Sequence, residues 1–231
     1  MDTPHLGRSG AAVVLVLSLV GCGPDAPTPE DARREAASSA VRQASAATAA
    51  QTDAVFAELV GGTPALTEVA TSTSDDCHAG VADVLYPHDP FRLRCSWGET
   101  RYFAVRGELL DALRQMDVAA KQAGVLPVSG EALDGVEFYV AANGLTEDGQ
   151  VLPLPTLTYV AVGYGGRLSV RWFRASDPRP EDHSVDVRWP MVWQDDHRVD
   201  VDALWNGPLR GQAYLLTVST GVTYHEVPWP S

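Results

Sequence analysis

At 231 residues the chain is long enough to bury one good-sized hydrophobic core, or a core with a helical stalk. Its formal net charge of −13 argues against nucleic acid, whose phosphates it would repel. The same charge argues against adsorption to anionic lipid headgroups, so any membrane attachment needs another source.

The chain opens with Arg8 as its positive charge, partly offset by Asp2, followed by an apolar run over residues 11–20. That run is about half of the roughly 20 residues a helix needs to cross the hydrocarbon core, which argues against a permanent span. Small Gly21 then precedes Cys22, the layout of a secretory signal peptide and its cleavage site. There is no twin arginine, which favours the general secretion route. Leu19-Val20-Gly21-Cys22 resembles the lipobox of bacterial lipoproteins. The resemblance covers about the first tenth of the chain. It implies that residues 1–21 are removed and that Cys22, acylated through its thiol, becomes the mature N-terminus. Two or more acyl chains hold a protein stably at a membrane surface, whereas one does so only marginally. Cleavage would remove one acid and one base and leave 210 residues with the full negative charge. Lys121 is the only lysine, and with the abundant alanine this resembles the coding bias of high-GC actinobacteria.

Residues 22–45 read as a lipidated N-terminus with a tether or helical spacer, and residues 46–231 as a single globular domain. Thr28 has the character of an N-cap, with Pro29 at the first helical position and Asp31 three residues after the cap. One helix is predicted from Pro29 towards Val60, ending at Gly61-Gly62. Its last turns carry the apolar face and its first turns serve as a spacer from the membrane; disorder in residues 23–45 is the alternative. A strand is predicted over Ala65–Thr73. Phe91, Leu93, Cys95 and Trp97 alternate with polar residues, a half-buried strand, with Arg101–Arg106 pairing back through a turn at Gly98. Leu109, Leu113, Met116 and Ala120 recur at helical spacing, and Gly124 suits the C-terminal cap. Strands are then predicted over Val136–Ala141, Thr156–Tyr164 and Arg167–Arg174, the last two joined by a two-residue turn at Gly165-Gly166. A long connection, Ala175–Gln212, precedes a hairpin of Ala213–Ser219 and Val222–Val227 around Thr220-Gly221. The class is α+β, an antiparallel sheet with two main helices on one face.

Beyond Cys22, Cys77 and Cys95 form an even pair, which in an oxidising compartment reads as a disulfide. The rival is a metal site with Asp75, Asp76, His78 and His88, but no metal-ligand spacing is present, and no metal is expected. The best candidate for a binding surface is the long connection, with Trp189, Trp193, Asp195, Asp196, His197 and Trp205. Exposed tryptophans stack on sugars or apolar ligands, and carboxylates fix hydroxyls or cations. The competing reading buries these tryptophans against the sheet. Asp200-Val-Asp202 lacks the glycine and terminal glutamate of a calcium loop.

No catalytic residue is assigned, because the chain has no Gly-x-Ser-x-Gly, Ser-x-x-Lys or His-Glu-x-x-His. His183 and His197 lack an evident nucleophile. The expectation is a non-enzymatic lipoprotein on the extracytoplasmic face of the cell membrane, without a cofactor other than the acyl chains on Cys22. Its partners would be the membrane, through the anchor, and an envelope protein, a glycan or a small ligand. A small-ligand or lipid carrier and a cell-wall hydrolase are the alternatives.

Overall fold

The computed structural model describes residues 28–81, 89–129, 132–142, 144–145, 148–150, 155–174 and 191–229. Cys22, His88, Trp189 and the histidine at 183 lie outside the described residues, as does the predicted signal peptide.

Helix α1 (Pro29–Ala36) begins as its sequence foretells. The Thr28 hydroxyl accepts from the Asp31 amide, and the Asp31 carboxylate accepts from the Thr28 amide at 2.9 Å. The predicted single helix to Val60 is in fact two, because Ser38 caps a new start. Its hydroxyl accepts from Val41 N at 3.3 Å, and α2 (Ser39–Val60) follows. The expected spacer is not one. Ala32 and Ala36 are buried with Val41 against Cys77, Leu93 and Cys95, so α1 lies on the sheet.

Seven strands form one antiparallel sheet: β1 (Leu66–Ala79), β2 (Phe91–Val105), β3 (Val125–Pro127), β4 (Leu157–Ala161), β5 (Arg167–Arg174), β6 (Met191–His197) and β7 (Tyr214–Pro228). Their order is β3-β4-β5-β7-β2-β1-β6. The remaining helices are α3 (Leu109–Gln122), α4 (Ala132–Ala141) and α5 (Val201–Asn206). The α+β class and the antiparallel sheet are as expected.

Several local expectations give way. No turn interrupts β2 at Gly98 or β7 at Gly221; each is one 15-residue strand. The two glycines are Cα partners across the ladder, and a Cβ at Gly98 would stand 2.5 Å from Ser74 Oγ. Glycine here permits close strand approach, not a turn. Gly165-Gly166 is likewise not a two-residue hairpin turn. The β4–β5 ladder stops at Val160↔Arg167, leaving a longer turn in which Gly163 has φ +79°. Val136–Ala141 belongs to a helix, because Leu133, Val136 and Val140 recur at helical spacing and join the core. The long connection contains β6 and α5.

Strand alternation sorts the core into layers. Phe103, Val105, Leu216 and Val218 share the main cluster with α2, α3 and α4 residues, among them Phe56, Leu113, Met116 and Val136. The intervening Ala104 and Leu215 join Leu204, Trp205 and Leu209, so α5 packs on the opposite, outer side. Fully burying an aliphatic side chain such as Leu113 contributes about 1.5–3 kcal/mol. Gly124 closes α3 at φ +83°, as expected for a left-handed cap.

Cys77 and Cys95 are Cα partners 4.0 Å apart and are bonded through their sulfurs. The bridge closes a sequence separation of 18 residues, which on the chain-entropy estimate stabilises the fold by about 3 kcal/mol. Beside it the β2–β7 ladder shifts register between Cys95 and Ser96. This bulge leaves Tyr224 without an opposite residue and places both Tyr224 and His225 towards the layer of α1 and α2. Among the described residues no helix is long and apolar enough to cross a membrane.

Candidate functional site

Of the residues expected to form one recognition surface, Trp193, Asp195 and His197 share one side of β6, Asp196 and Trp205 are turned elsewhere, and Trp189 lies outside the described residues. Alternation along β6 separates them: Trp193, Asp195 and His197 pair with Cys77, Asp75 and Thr73, while Gln194 and Asp196 point the other way, opposite Asp76 and Ser74. Trp193 is half-buried against the cluster around the disulfide, whereas Asp195 and His197 are exposed. Trp205 is 9 % exposed and sits in the outer cluster with α5. A six-residue helix that buries two apolar residues on the sheet has replaced the predicted loop. Asp200 caps that helix, accepting from Asp202 N at 2.9 Å and Ala203 N at 3.1 Å. Its carboxylate is thus committed to backbone amides.

The acidic residues near the disulfide fasten the fold. Asp75 is buried and accepts from Tyr224 Oη at 2.6 Å and from the Ser45 hydroxyl, joining α2, β1 and β7. Burial and the hydrogen bond to Asp75 push the Tyr224 hydroxyl well above its ordinary range. On the outer side Asp76 Oδ2 lies 2.6 Å from His78 Nε2. Burial raises the Asp76 carboxyl above the usual carboxylate range; the His78 contact opposes this, and the charges of Asp196 and Asp75 add to it. Asp196 accepts from Arg198 at 3.1 Å and from Gln194. Among the described residues no group of three or more His, Cys, Asp or Glu side chains could hold a metal ion.

A second ionic knot centres on Arg101. It donates to buried Glu99 at 2.6 Å and to Asp53 of α2, lies 3.7 Å from Glu68, and stacks on Phe56 at 4.6 Å. Asp53 and Phe56 lie on α2, Glu68 on β1 and Glu99 on β2 beside Arg101 itself, so the knot locks α2 onto β1 and β2.

The side chains that remain open to solvent point elsewhere. Leu126 on β3 and Val160 on β4 are Cα partners, and they are 49 % and 37 % exposed. Val128, 53 % exposed, follows on the same alternation, and Val162 in the β4–β5 turn is 91 % exposed. Arg167 is the Cα partner of Val160 on the other side, and Arg171 lies two pleats further along β5; both are exposed. Aliphatic side chains therefore continue into two arginines along one sheet margin. The sequence signals were the short apolar runs Val125–Val128, to which no strand was assigned, and Tyr159–Val162, inside the predicted strand Thr156–Tyr164; periodicity cannot show which side of a strand stays bare. A groove between Gly62, Pro64 and α3, lined by Val118 and Arg114, is open to solvent.

Compared with protein-family models, curated proteins and solved structures, the chain matches none of them.

Proposed function

We propose that this chain is a lipoprotein held by acyl chains on Cys22 at the extracytoplasmic face of the cell membrane, and that its folded domain is a non-enzymatic binding module. In this reading α2 and α3 back one face of the sheet, and the margin of Leu126, Val128, Val160 and Val162 with Arg167 and Arg171 receives the partner. The observation that carries the binding role is this margin. Contiguous apolar side chains left in water mark interaction sites, and arginine beside apolar residues is typical of protein interfaces. The partner class it suits best is another envelope protein, engaged by aliphatic contact and by carboxylates facing the arginines. The extracytoplasmic location rests on the lipobox-like Cys22 and on the Cys77–Cys95 bridge, a bond favoured in oxidising compartments.

One experiment tests both halves. A photocross-linking residue at Val162 is introduced into the chain in its native cell, alone and with Val160→Asp, in wild-type and Cys22→Ser backgrounds. The expected result is one adduct in the membrane fraction, lost with Val160→Asp while the melting temperature is unchanged, and loss of membrane fractionation with Cys22→Ser. Adducts that arise from Trp193 and not from Val162 would overturn the assigned surface. Unaltered membrane fractionation of Cys22→Ser would overturn the anchor.

A further inference from the structure

Because α1 is folded down on the sheet, the distance from Cys22 to the domain is set by a very short length of chain. Six residue steps separate Cys22 from Thr28, and fully extended they span at most about 22 Å. Had residues 29–60 formed one free-standing helix, it would have added about 48 Å of stalk. Instead Ala32 and Ala36 are 4 % and 3 % exposed, and Glu35 is held by Arg92 at 2.6 Å with His225 Nε2 at 3.8 Å. These contacts leave α1 no freedom to act as an extension.

We infer that the α1 side of the domain is its membrane-facing surface, seated against anionic phospholipid headgroups; this rests on Cys22 being the anchor. Charge points the same way. In a chain of net charge −13, α1 and the first turn of α2 expose Arg33, Arg34 and Arg42. Glu35 on the same helix is turned inward to Arg92, while Asp31 and the exposed Glu30 pair with Arg34 at 3.1 and 3.9 Å, so the positive charge offered to the headgroups is that of Arg33 and Arg42. The remainder of the chain carries the acid excess and is repelled from the same headgroups. Helix α2 then leads away from the anchor. Its 22 residues span about 33 Å and end where Gly62 packs beside Ala119 of α3. The C-terminal end of α3 is therefore the side farthest from the bilayer. The β3–β4 margin lies six strand positions from β6, which α1 covers, roughly 29 Å at the usual strand spacing. A module seated in this way keeps its aliphatic margin free of lipid and turned to the envelope space.

The test uses full-length acylated protein in vesicles of phosphatidylcholine with phosphatidylglycerol, carrying a headgroup-linked energy acceptor. A donor fluorophore is attached at Ala37→Cys or at Gln122→Cys, both exposed positions. Donor quenching should be at least about twofold stronger at position 37, given the roughly 30 Å between the two ends of α2. Inserting a flexible glycine-serine segment after Pro27 should erase the difference. Changing Arg33, Arg34 and Arg42 to Glu should reduce it on anionic vesicles and leave it unaltered on pure phosphatidylcholine. Equal quenching at the two sites, or stronger quenching at 122, overturns the orientation with the anchor intact. If the protein fails to float with vesicles, as Cys22→Ser is expected to, the anchor fails and the orientation with it.

Discussion

Replacing Trp205 by alanine separates a structural tryptophan from a recognition one. Its indole is 9 % exposed and packs with Leu204, Leu209, Leu215 and Ala104 between α5 and the outer side of the sheet. Truncating a buried tryptophan costs about 3–5 kcal/mol through lost transfer energy and the cavity left behind. The site lies on a six-residue helix at the margin of the fold, where neighbours can settle inward, so the lower end applies, about 3 kcal/mol. For a domain of this size each kcal/mol shifts the melting temperature by about 2–4 °C, a fall of roughly 6–12 °C. Thermal unfolding followed by circular dichroism, with urea titration to confirm an unchanged slope, measures it. A loss below about 1 kcal/mol would refute the packing of α5 on Ala104 and Leu215 and reopen Trp205 as a surface residue.

Two further outcomes follow from the geometry. Gly166→Ala should cost about 1–3 kcal/mol in urea unfolding, because its Cβ would meet Val222 Cγ2 at 2.7 Å, Thr220 Oγ1 at 2.9 Å and Tyr164 Cε1 at 2.9 Å. Gly221→Ala, whose Cβ meets nothing within 4 Å, should cost far less. Equal losses would contradict the crowding at Gly166. For Asp76 the folded state holds its proton more tightly than the unfolded chain, so wild-type stability declines as pH rises from the ordinary carboxylate value through the raised one. Asp76→Asn cannot titrate, and its stability advantage should widen over that interval and level off above it; parallel stability–pH curves would rule this out.

Much of the fold is legible without coordinates wherever a local rule acts alone. The Thr28–Asp31 capping box, the α3 face of Leu109, Leu113 and Met116, the left-handed Gly124 and the alternating Phe91–Trp97 strand each depend on neighbours three or four residues away at most. The even pair Cys77 and Cys95 required only a count and the expectation of an oxidising compartment, and it is bonded. What only tertiary structure decided has one physical origin: the choice depends on a partner distant in the chain. Gly98 and Gly221 are turn residues by composition, yet they stay in strand because ladders to β1, β7 and β5 run continuously through them. Residues 136–141 are apolar and aromatic enough for a strand and become helix because Val136 has a place in the core against α3 and β4. The α1 segment has almost nothing to bury by its own composition, but two alanines suffice once the flat surface of the disulfide and Leu93 lies beneath them. The candidate surface escaped for the same reason. An alternating strand announces that one side is covered, but sheet order alone decides that Leu126 and Val160 stand at an uncovered margin while Trp193 and Trp205 are taken into opposite layers.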